Sequence, residues 1–327
     1  MPTPDLHGEL ALVTGGAGFI GSHLVDGLLE RGARVRVLDN LATGSAENLA
    51  HVRDRVEMRE ADIRDFGACL SACRDAAWVF HQAALGSVPR SLADPSTTVA
   101  VNVSGTTNVF MAARETHVRR VVYASSSSVY GDSSKLPKRE GEEGRPLSPY
   151  ALSKKMDEDL AEVFAACNGM ELIGLRYFNV YGPRQDPEGP YAAVVPRFFQ
   201  AGLSGEPAVI HGDGEQSRDF TFVADAVLAN LLAAGAASNA CGRSYNVGGG
   251  RRVTINEMAG LIAELTGSGR DPRHEAPRAG DVRHSLADVA RAREMLGYGP
   301  AWDIRRGLEA SLTHYTRRAA DRLSAEA

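Results

Sequence analysis

The residue pair best suited to acid–base chemistry is Tyr150 and Lys154. The two residues are four apart at the start of a predicted helix, so their side chains share one face. A lysine ammonium stabilises a neighbouring phenolate, and a phenolate can take the proton of a substrate hydroxyl. Because this spacing is common in helices, its meaning depends on the segments around it.

A row of hydroxyl groups precedes that pair, in the segment SSSSVYG at residues 125–131. It follows a predicted strand and would lie at the carboxyl end of a sheet, where α/β folds bind ligands. One of these serines could donate a hydrogen bond to the reacting oxygen. The alternative interpretation is a polar turn, in which serine is an ordinary residue.

Three glycines, Gly15, Gly18 and Gly21, lie between a predicted strand and a predicted helix. In such a turn the first permits the tight bend, the second lets the backbone approach a pyrophosphate, and the third lets the helix pack closely. The helix N-terminus offers free N–H groups to phosphates. Asp39, at the end of the next strand, suits the ribose hydroxyls of NAD and would repel the 2′-phosphate of NADP. The pattern predicts an NAD site.

Two later segments are expected beside the same cofactor. Asp62 and Ile63 follow the third predicted strand and would lie near the adenine, while residues 82–84 follow the fourth and would pass under the cofactor. The full set of residues expected to contact NAD is Gly15, Gly18, Phe19, Ile20, Asp39, Asn40, Asp62, Ile63, Gln82, Ala83, Ala84, Tyr150, Lys154 and Tyr177.

These residues must be positioned by an alternation of strands and helices. Predicted strands lie at 10–13, 34–38, 56–60, 77–80, 120–124 and 170–176, and predicted helices at 19–31, 99–113 and 150–166. Such alternation indicates an α/β fold with a doubly wound parallel sheet. Four prolines between 183 and 196 then predict a loop-rich region, because proline interrupts regular elements. Shorter elements are predicted beyond it, at 208–211, 226–234, 244–247 and 254–265.

The composition excludes several classes of function. With 327 residues and a net charge of −5, the chain has no electrostatic reason to bind nucleic acid. Its four cysteines have no zinc-ligand spacing, so no metal site is expected. The most apolar stretch, 226–237, is too short to span a bilayer. The N-terminus has no secretory signal, so a cytoplasmic protein without a membrane partner is expected.

Five motifs together resemble the extended short-chain dehydrogenases/reductases, and the nucleotide-sugar 4-epimerases in particular: TGGAGFIG, HQAA, SSSSVYG, YALSK and RYFNVYGPRQ. The resemblance runs from about residue 9 to 300. It implies a doubly wound parallel Rossmann sheet with a smaller, mixed C-terminal lobe. The expected NAD-binding domain is 1–180, with a return segment near 217–250, and 181–327 is expected to bind mainly a UDP-sugar.

In the family, the hydroxyl at the position of Ser126 assists the tyrosine, with Ser127 as a possible substitute in this serine run. The catalytic set implied is therefore Ser126, Tyr150 and Lys154. The resemblance also implies a homodimer, formed through the helices at 99–113 and 150–166.

The resemblance also guides the choice of reaction. Similar 4,6-dehydratases carry Asp-Glu where this chain has Ser127 and Ser128, and UDP-glucuronate decarboxylases place Glu at the second position. Without those acids, the implied reaction is removal of hydride from C4 of the sugar and its return to the opposite face, with Tyr150 moving the O4 proton.

Several later residues match substrate positions of the family. Asn179 matches a diphosphate contact, Arg218 and Arg278 match phosphate-binding arginines, and Asp281 matches a ribose-binding acid. The full set expected to contact substrate is Ser87, Ser126, Ser127, Tyr150, Asn179, Val195, Arg218, Arg278, Asp281 and Ser285.

The sugar is indicated by position 285, where similar epimerases restricted to plain hexoses carry tyrosine. Ser285 leaves room for a 2-acetamido group, and LGSVPRS and RQDPEGPYAAVVPRF resemble epimerases that prefer UDP-GlcNAc and UDP-GalNAc. A UDP-glucuronate 4-epimerase is a second interpretation, although Asp186 is a poor neighbour for a uronate. An NAD(P)H-dependent nucleotide-sugar reductase and an NAD-sensing binding module also remain open.

Overall fold

The computed structural model describes residues 5–188, 192–277 and 282–326. The strands in chain order are β1 (Leu10–Thr14), β2 (Arg34–Asp39), β3 (Val56–Glu60), β4 (Trp78–His81), β5 (Arg120–Ser126), β6 (Leu172–Tyr177), β7 (Val180–Tyr181), β8 (Val209–His211), β9 (Ser217–Asp219), β10 (Thr221–Phe222), β11 (Arg243–Val247), β12 (Arg252–Thr254) and β13 (Arg273–Glu275). Seven of them form one parallel sheet in the order β11-β6-β5-β4-β1-β2-β3.

The helices lie against the sheet and in a smaller lobe beside it. They are α1 (Phe19–Leu29), α2 (Phe66–Cys73), α3 (Val88–Ala93), α4 (Pro95–Val99), α5 (Thr106–Glu115), α6 (Pro149–Asn168), α7 (Val194–Ser204), α8 (Val223–Gly235), α9 (Ile255–Thr266), α10 (Ala290–Leu296) and α11 (Ile304–Glu326). Short 3₁₀ segments lie at Ala46–Arg55, Ser127–Tyr130 and Ser238–Ala240, and a π-helical segment at Ala100–Gly105 joins α4 to α5.

The central strands of the sheet are largely apolar because both of its faces are covered there. Along β1, Ala11 and Val13 belong to the hydrophobic core on one face, while Leu10 and Leu12 belong to the core on the other. Side chains of a strand alternate between faces, so a strand buried on both sides needs an uninterrupted apolar run. The predicted α/β fold with a doubly wound parallel sheet is confirmed.

The loop-rich region after residue 180 ends sooner than the prolines suggest. Helix α7 begins at Val194 and contains Pro196 in its first turn. The first N–H groups of a helix have no partner within it, so proline is tolerated at this position. The expectation that regular structure is absent through residue 196 is therefore wrong at its C-terminal end.

A smaller lobe packs beside the carboxyl ends of the sheet strands. Its core is built by α7, α9 and α11, where the rings of Phe199 and Tyr315 stack with centroids 4.7 Å apart. Arg184 ties the chain leading into the lobe to α1, since its guanidinium donates to Asp26 at 2.5 Å and bonds His23 at 2.7 Å. The chain then returns to the sheet through α8 and β11.

Arg120 fastens this return segment to the sheet. Its Nη1 donates to three carbonyl oxygens at the end of α8, those of Ala233, Ala234 and Ala236, and its Nη2 bonds Glu171 at 2.6 Å. The side chain is only 5% exposed, so these partners replace water that the charge has lost.

Arg120→Met should lower the free energy of unfolding by about 3–5 kcal/mol, because Glu171 and three carbonyl groups lose their partner. Arg119→Met is the matched control: Arg119 is 55% exposed and meets Glu9 at 3.4 Å, so its loss should cost about 1 kcal/mol or less. Urea unfolding followed by circular dichroism measures both values. Equal losses in the two variants would contradict the role given to Arg120.

Candidate active site

The turn after β1 brings three backbone segments into close contact. Gly15 has φ +69°, and a Cβ there would lie 2.6 Å from the backbone nitrogen of Ala83. A Cβ on Gly21 would lie 2.0 Å from the carbonyl oxygen of Gly15. Only glycine fits at both positions, and α1 therefore begins at Phe19 with its free N–H groups at the edge of a cleft.

Asp39 holds this turn from the end of β2. Its Oδ2 accepts a hydrogen bond from the Ala17 nitrogen at 2.9 Å, and its Oδ1 accepts one from the Leu41 nitrogen at 2.8 Å. Nearby, Asp62 accepts from Arg64 and Asn40, and these bonds, that of Arg64 foremost, lower the pKa of Asp62 to about 2. A second carboxylate is thus fixed as an anion on the same side of the cleft.

The cleft has a volume of about 990 Å³ and runs along the carboxyl ends of the strands to the lobe. The predicted residues that line it are Gly15, Gly18, Phe19, Ile20, Asp39, Asn40, Asp62, Ile63, Gln82, Ala83, Ala84, Ser87, Ser126, Ser127, Tyr150, Lys154, Tyr177, Asn179, Arg218 and Ser285. A cleft of this size, with glycines in its wall and carboxylates at one end, can hold an elongated dinucleotide and a second ligand beside it.

Tyr150 and Lys154 enter the cleft from the first turns of α6. The hydroxyl of Ser148 caps this helix by accepting from the Ala151 nitrogen at 3.1 Å, and Pro149 starts it. Lys154 is buried, and its Nζ donates to the carbonyl oxygen of Ala124 at 2.9 Å. This bond fixes the face of α6 that carries Tyr150 and Lys154 to the end of β5.

The serine row separates into different roles. Ser125 is buried and donates to Glu158 at 2.6 Å, so its hydroxyl is already engaged. The Ser126 Oγ accepts from the hydroxyl of Ser128 at 2.9 Å and from its nitrogen at 3.2 Å. Because accepting leaves the Ser126 proton unused by these bonds, this hydroxyl can donate to a reacting oxygen in the cleft.

A hydrogen-bonded group under the cleft joins the return segment to β4 and β6. Asn230 of α8 donates to the Tyr177 hydroxyl at 2.7 Å, and that hydroxyl donates to Gln82 at 3.2 Å. Burial raises the pKa of Tyr177 to about 12, so its hydroxyl stays protonated as a donor. Sequence reasoning missed the part played by Asn230, although a lone amide within the apolar stretch 226–237 was the signal for it.

The lobe contributes its own polar group. Asn179 donates to the carbonyl oxygen of Asp219 at 3.1 Å and to Ser285 at 3.4 Å, which places these residues at one wall. Arg218 lies next to them and donates to the carbonyl oxygen of Arg283 at 3.1 Å. Predicted substrate residues from distant parts of the sequence therefore meet at the lobe side of the cleft.

Three of the residues predicted to contact substrate are not among those seen to line the cleft. Val195 lies in the hydrophobic core of the lobe and does not line the cleft, because the first turn of α7 directs it inward. Arg278 and Asp281 lie outside the described residues. Within the part of the chain that is described, no cluster of metal-binding side chains occurs, and no helix has the length and hydropathy needed to cross a membrane.

Comparison with known proteins agrees with this arrangement. Residues 11–248 match the NAD dependent epimerase/dehydratase family. A UDP-glucose 4-epimerase from Mycolicibacterium smegmatis is 40% identical over 313 residues, which are 94% of this chain and 99% of the relative.

Two solved structures extend the likeness to the fold. A UDP-N-acetylglucosamine 4-epimerase from Methanobrevibacter ruminantium, in complex with UDP-N-acetylmuramic acid, is 37% identical with a TM-score of 0.91 and covers 95% of this chain and 99% of that chain. A UDP-glucose 4-epimerase from Thermus thermophilus in complex with NAD is 37% identical with a TM-score of 0.86 and covers 94% and 98%.

The chain therefore belongs to the NAD dependent epimerase/dehydratase family. Its cofactor is NAD and its reaction is an epimerisation, as predicted from the sequence.

Asp39→Asn should weaken NAD binding about tenfold and reduce the discrimination against NADP, because the amide still accepts one backbone hydrogen bond but no longer repels a 2′-phosphate. Calorimetric titration of nucleotide-free protein with NAD and NADP measures both affinities. Asp65→Asn is the control, since Asp65 caps α2 outside the cleft and asparagine caps equally well. Unchanged affinities in Asp39→Asn would remove Asp39 from the cofactor site.

Proposed function

We propose that this protein is a UDP-hexose 4-epimerase that interconverts UDP-GlcNAc and UDP-GalNAc, and also UDP-Glc and UDP-Gal. The observation that carries the proposal is the meeting of Ser126, Tyr150 and Lys154 in one cleft in which positions 127 and 128 are serines. A carboxylate at these two positions would supply the acid–base groups of elimination or decarboxylation. Because serine supplies no such group, the reaction that the cleft can support is oxidation and reduction at a single carbon of the sugar.

The roles of the three residues follow from where they lie. Tyr150 takes the proton of the sugar O4 and later returns it, while Ser126 donates a hydrogen bond to the same oxygen. Lys154 holds its positive charge beside the phenol and favours the phenolate. Bound NAD supplies a hydride acceptor and donor for C4. The turnover ends with the chain and cofactor unchanged, so no external reductant is needed.

The lobe wall supports the choice of sugar nucleotide. Arg218 places a cation where a diphosphate would lie, and Asn179 offers an amide beside it. Ser285 lines the cleft with a short side chain that is 9% exposed, which leaves space next to it for a 2-acetamido group. The relatives named above carry UDP-glucose and UDP-N-acetylglucosamine in their names, which supports a UDP-sugar.

Lys138 favours UDP-glucuronate as a second candidate substrate. Its side chain lines the cleft and is buried, burial lowers its pKa, and its Nζ donates to the carbonyl oxygen of Ser133. No carboxylate of the described residues lies within 4.0 Å of this Nζ. An ammonium in this setting offers the cation that a uronate carboxylate requires.

The surface of α6 supports a homodimer. Leu152, Met156 and Val163 are exposed and lie on one stripe of this helix, and Leu92 of α3 and Val99 of α4 are exposed as well. Large apolar side chains grouped in this way are typical of an interface between subunits. We infer that two copies pair through the helices at 99–113 and 150–166.

The function is tested by incubating purified protein separately with UDP-GlcNAc, UDP-Glc and UDP-GlcA, without added reductant, and separating the products by anion-exchange chromatography. Formation of the galacto isomer without net NADH is the expected result, with UDP-GlcNAc fastest. UDP-GlcA as the fastest substrate would favour the second candidate. Absence of any isomer would overturn both.

Tyr150→Phe should lower turnover by about 10³-fold or more while bound NAD is retained, because the variant loses the group that moves the O4 proton. The same chromatographic assay measures turnover, and absorbance of the released nucleotide measures NAD. Tyr245→Phe removes a hydroxyl bonded to the Ala240 carbonyl outside the cleft and should stay active. Near wild-type activity of Tyr150→Phe would contradict the role of Tyr150 in moving the O4 proton.

Ser285→Tyr should lower turnover of UDP-GlcNAc about 100-fold and that of UDP-Glc by about threefold or less, because the ring fills the space of the acetamido group. Ser285→Ala keeps the space open and serves as the control for loss of the hydroxyl. Equal decreases for both sugars in Ser285→Tyr would show that residue 285 does not select at C2.

A further inference from the structure

Lys154 is one half of a buried ion pair. Its Nζ lies 3.1 Å from Oδ2 of Asp157, and the two side chains are 3% and 1% exposed. Tyr150, Lys154 and Asp157 are spaced at i, i+4 and i+7 in α6 and therefore lie along one face of the helix. A carboxylate is thus built in directly behind the lysine that serves the phenol.

The side chains that face Asp157 from β4, α5 and β5 are neutral, so Lys154 is its charged partner. On the side of β4, burial lowers the pKa of His81 to about 3, so its ring is neutral, and its two nitrogens are bonded to Thr14 at 2.6 Å and Thr106 at 2.9 Å. The Thr106 side chain, from α5, stands next to the carboxyl group. On the side of β5, burial raises the pKa of Tyr123, which remains neutral.

The other nearby charges are engaged with one another. Glu158, the next residue of α6, accepts two hydrogen bonds at 2.8 Å from Arg176 of β6. Among the described residues, Asp157 provides the one carboxylate within 4.0 Å of the Lys154 Nζ. Its second oxygen, Oδ1, is buried without a hydrogen-bond partner of normal geometry in that part of the structure.

Such a carboxylate costs stability. Burial raises the pKa of Asp157 to about 6 even though Lys154 opposes the rise. A carboxyl group with a raised pKa in the folded state binds its proton more tightly than in the unfolded chain, so its contribution to stability falls as the pH rises from about 4 to about 6 and is constant above that interval. An aspartate on the opposite, exposed face of α6 would avoid this cost.

We propose that Asp157 is a positioning residue of the epimerase reaction, which keeps the buried Lys154 ammonium charged and directed at Tyr150. The inference rests on the function proposed above. A lysine withdrawn from water loses its proton readily unless an anion lies beside it, and a neutral lysine would no longer favour the phenolate. The carboxylate and the Ala124 carbonyl together hold Nζ from two sides, which fixes its direction as well as its charge.

The test uses Asp157→Asn in the full-length protein. Asparagine has the same size and can still accept a hydrogen bond from Nζ, so a merely structural contact would survive while the charge is lost. Asp159→Asn is the matched control, because Asp159 pairs with Lys155 on the exposed face of the same helix. Asp157→Ser, smaller and also uncharged, replaces the asparagine variant if that variant does not fold.

Lysine protonation can be read directly, since the chain has only four lysines: Lys135, Lys138, Lys154 and Lys155. With lysine labelled by ¹³C at Cε, the NMR signal of Lys154 should titrate at a pH at least about one unit lower in Asp157→Asn than in the parent protein, a change of about 1.4 kcal/mol. The signals of Lys135, Lys138 and Lys155 should titrate unchanged in Asp157→Asn. In Asp159→Asn, where Lys155 loses its partner, the signal of Lys154 should titrate unchanged.

Turnover supplies the second measurement. In Asp157→Asn the pH above which kcat declines should fall by about one unit, while KM for the UDP-sugar should stay within about twofold of the parent value. Asp157→Glu should restore the parent pH dependence. An unmoved Lys154 titration in Asp157→Asn, or an equal shift in Asp159→Asn, would overturn the role of Asp157. The NMR measurement needs no turnover, so an inactive parent protein would refute the proposed function separately from this inference.

Discussion

The close approach of three backbones at the start of the chain is the constraint on which the site depends. Gly15, Gly21 and Ala83 bring the turn after β1, the first turn of α1 and the end of β4 closer together than any side chain would permit. That contact sets the direction in which α1 leaves the sheet, and so aims its N–H groups at the cleft. It also aligns β4 with β1 in register, so that the polar residues after each strand end at the same edge.

The side of the cleft that carries Tyr150 requires charged groups to be buried, which costs stability. Lys154 and Asp157 are both withdrawn from water behind Tyr150, and Asp219, behind the lobe wall, has its pKa raised to about 6 by burial although it accepts backbone hydrogen bonds from Gly249 and Ala287. A fold optimised for stability alone would place apolar residues there. Asp157 instead holds the Lys154 side chain in place, and Asp219 holds the backbone of Gly249 and Ala287 beside the lobe wall.

Much of the fold and of the candidate site could be predicted from the sequence, because the spacing of nearby residues determines their geometry. A glycine turn between an apolar strand and a helix, or a tyrosine and lysine one helical turn apart, has the same geometry wherever it occurs. Hydrogen bonds between residues distant in sequence could not be predicted. The bond of Asn230 to Tyr177, for example, depends on how α8 packs under the sheet. The direction of Val195 depends on the exact start of α7, which the prolines concealed, since one residue of shift turns a side chain by about 100° around the helix axis.

The position of β11 bears on how the molecule can be divided. This strand pairs with β6 at the rim of the sheet, after the chain has already passed through β8, β9 and β10 of the lobe. A fragment that stops at residue 180 would leave β6 as an open rim of unpaired backbone groups and strip α8 from the apolar core beneath it. The sheet is therefore not a separable module. Helix α7 of the lobe precedes β11 in the chain, whereas α9 and α11 follow it, so the lobe is built from chain on both sides of the strand that completes the sheet.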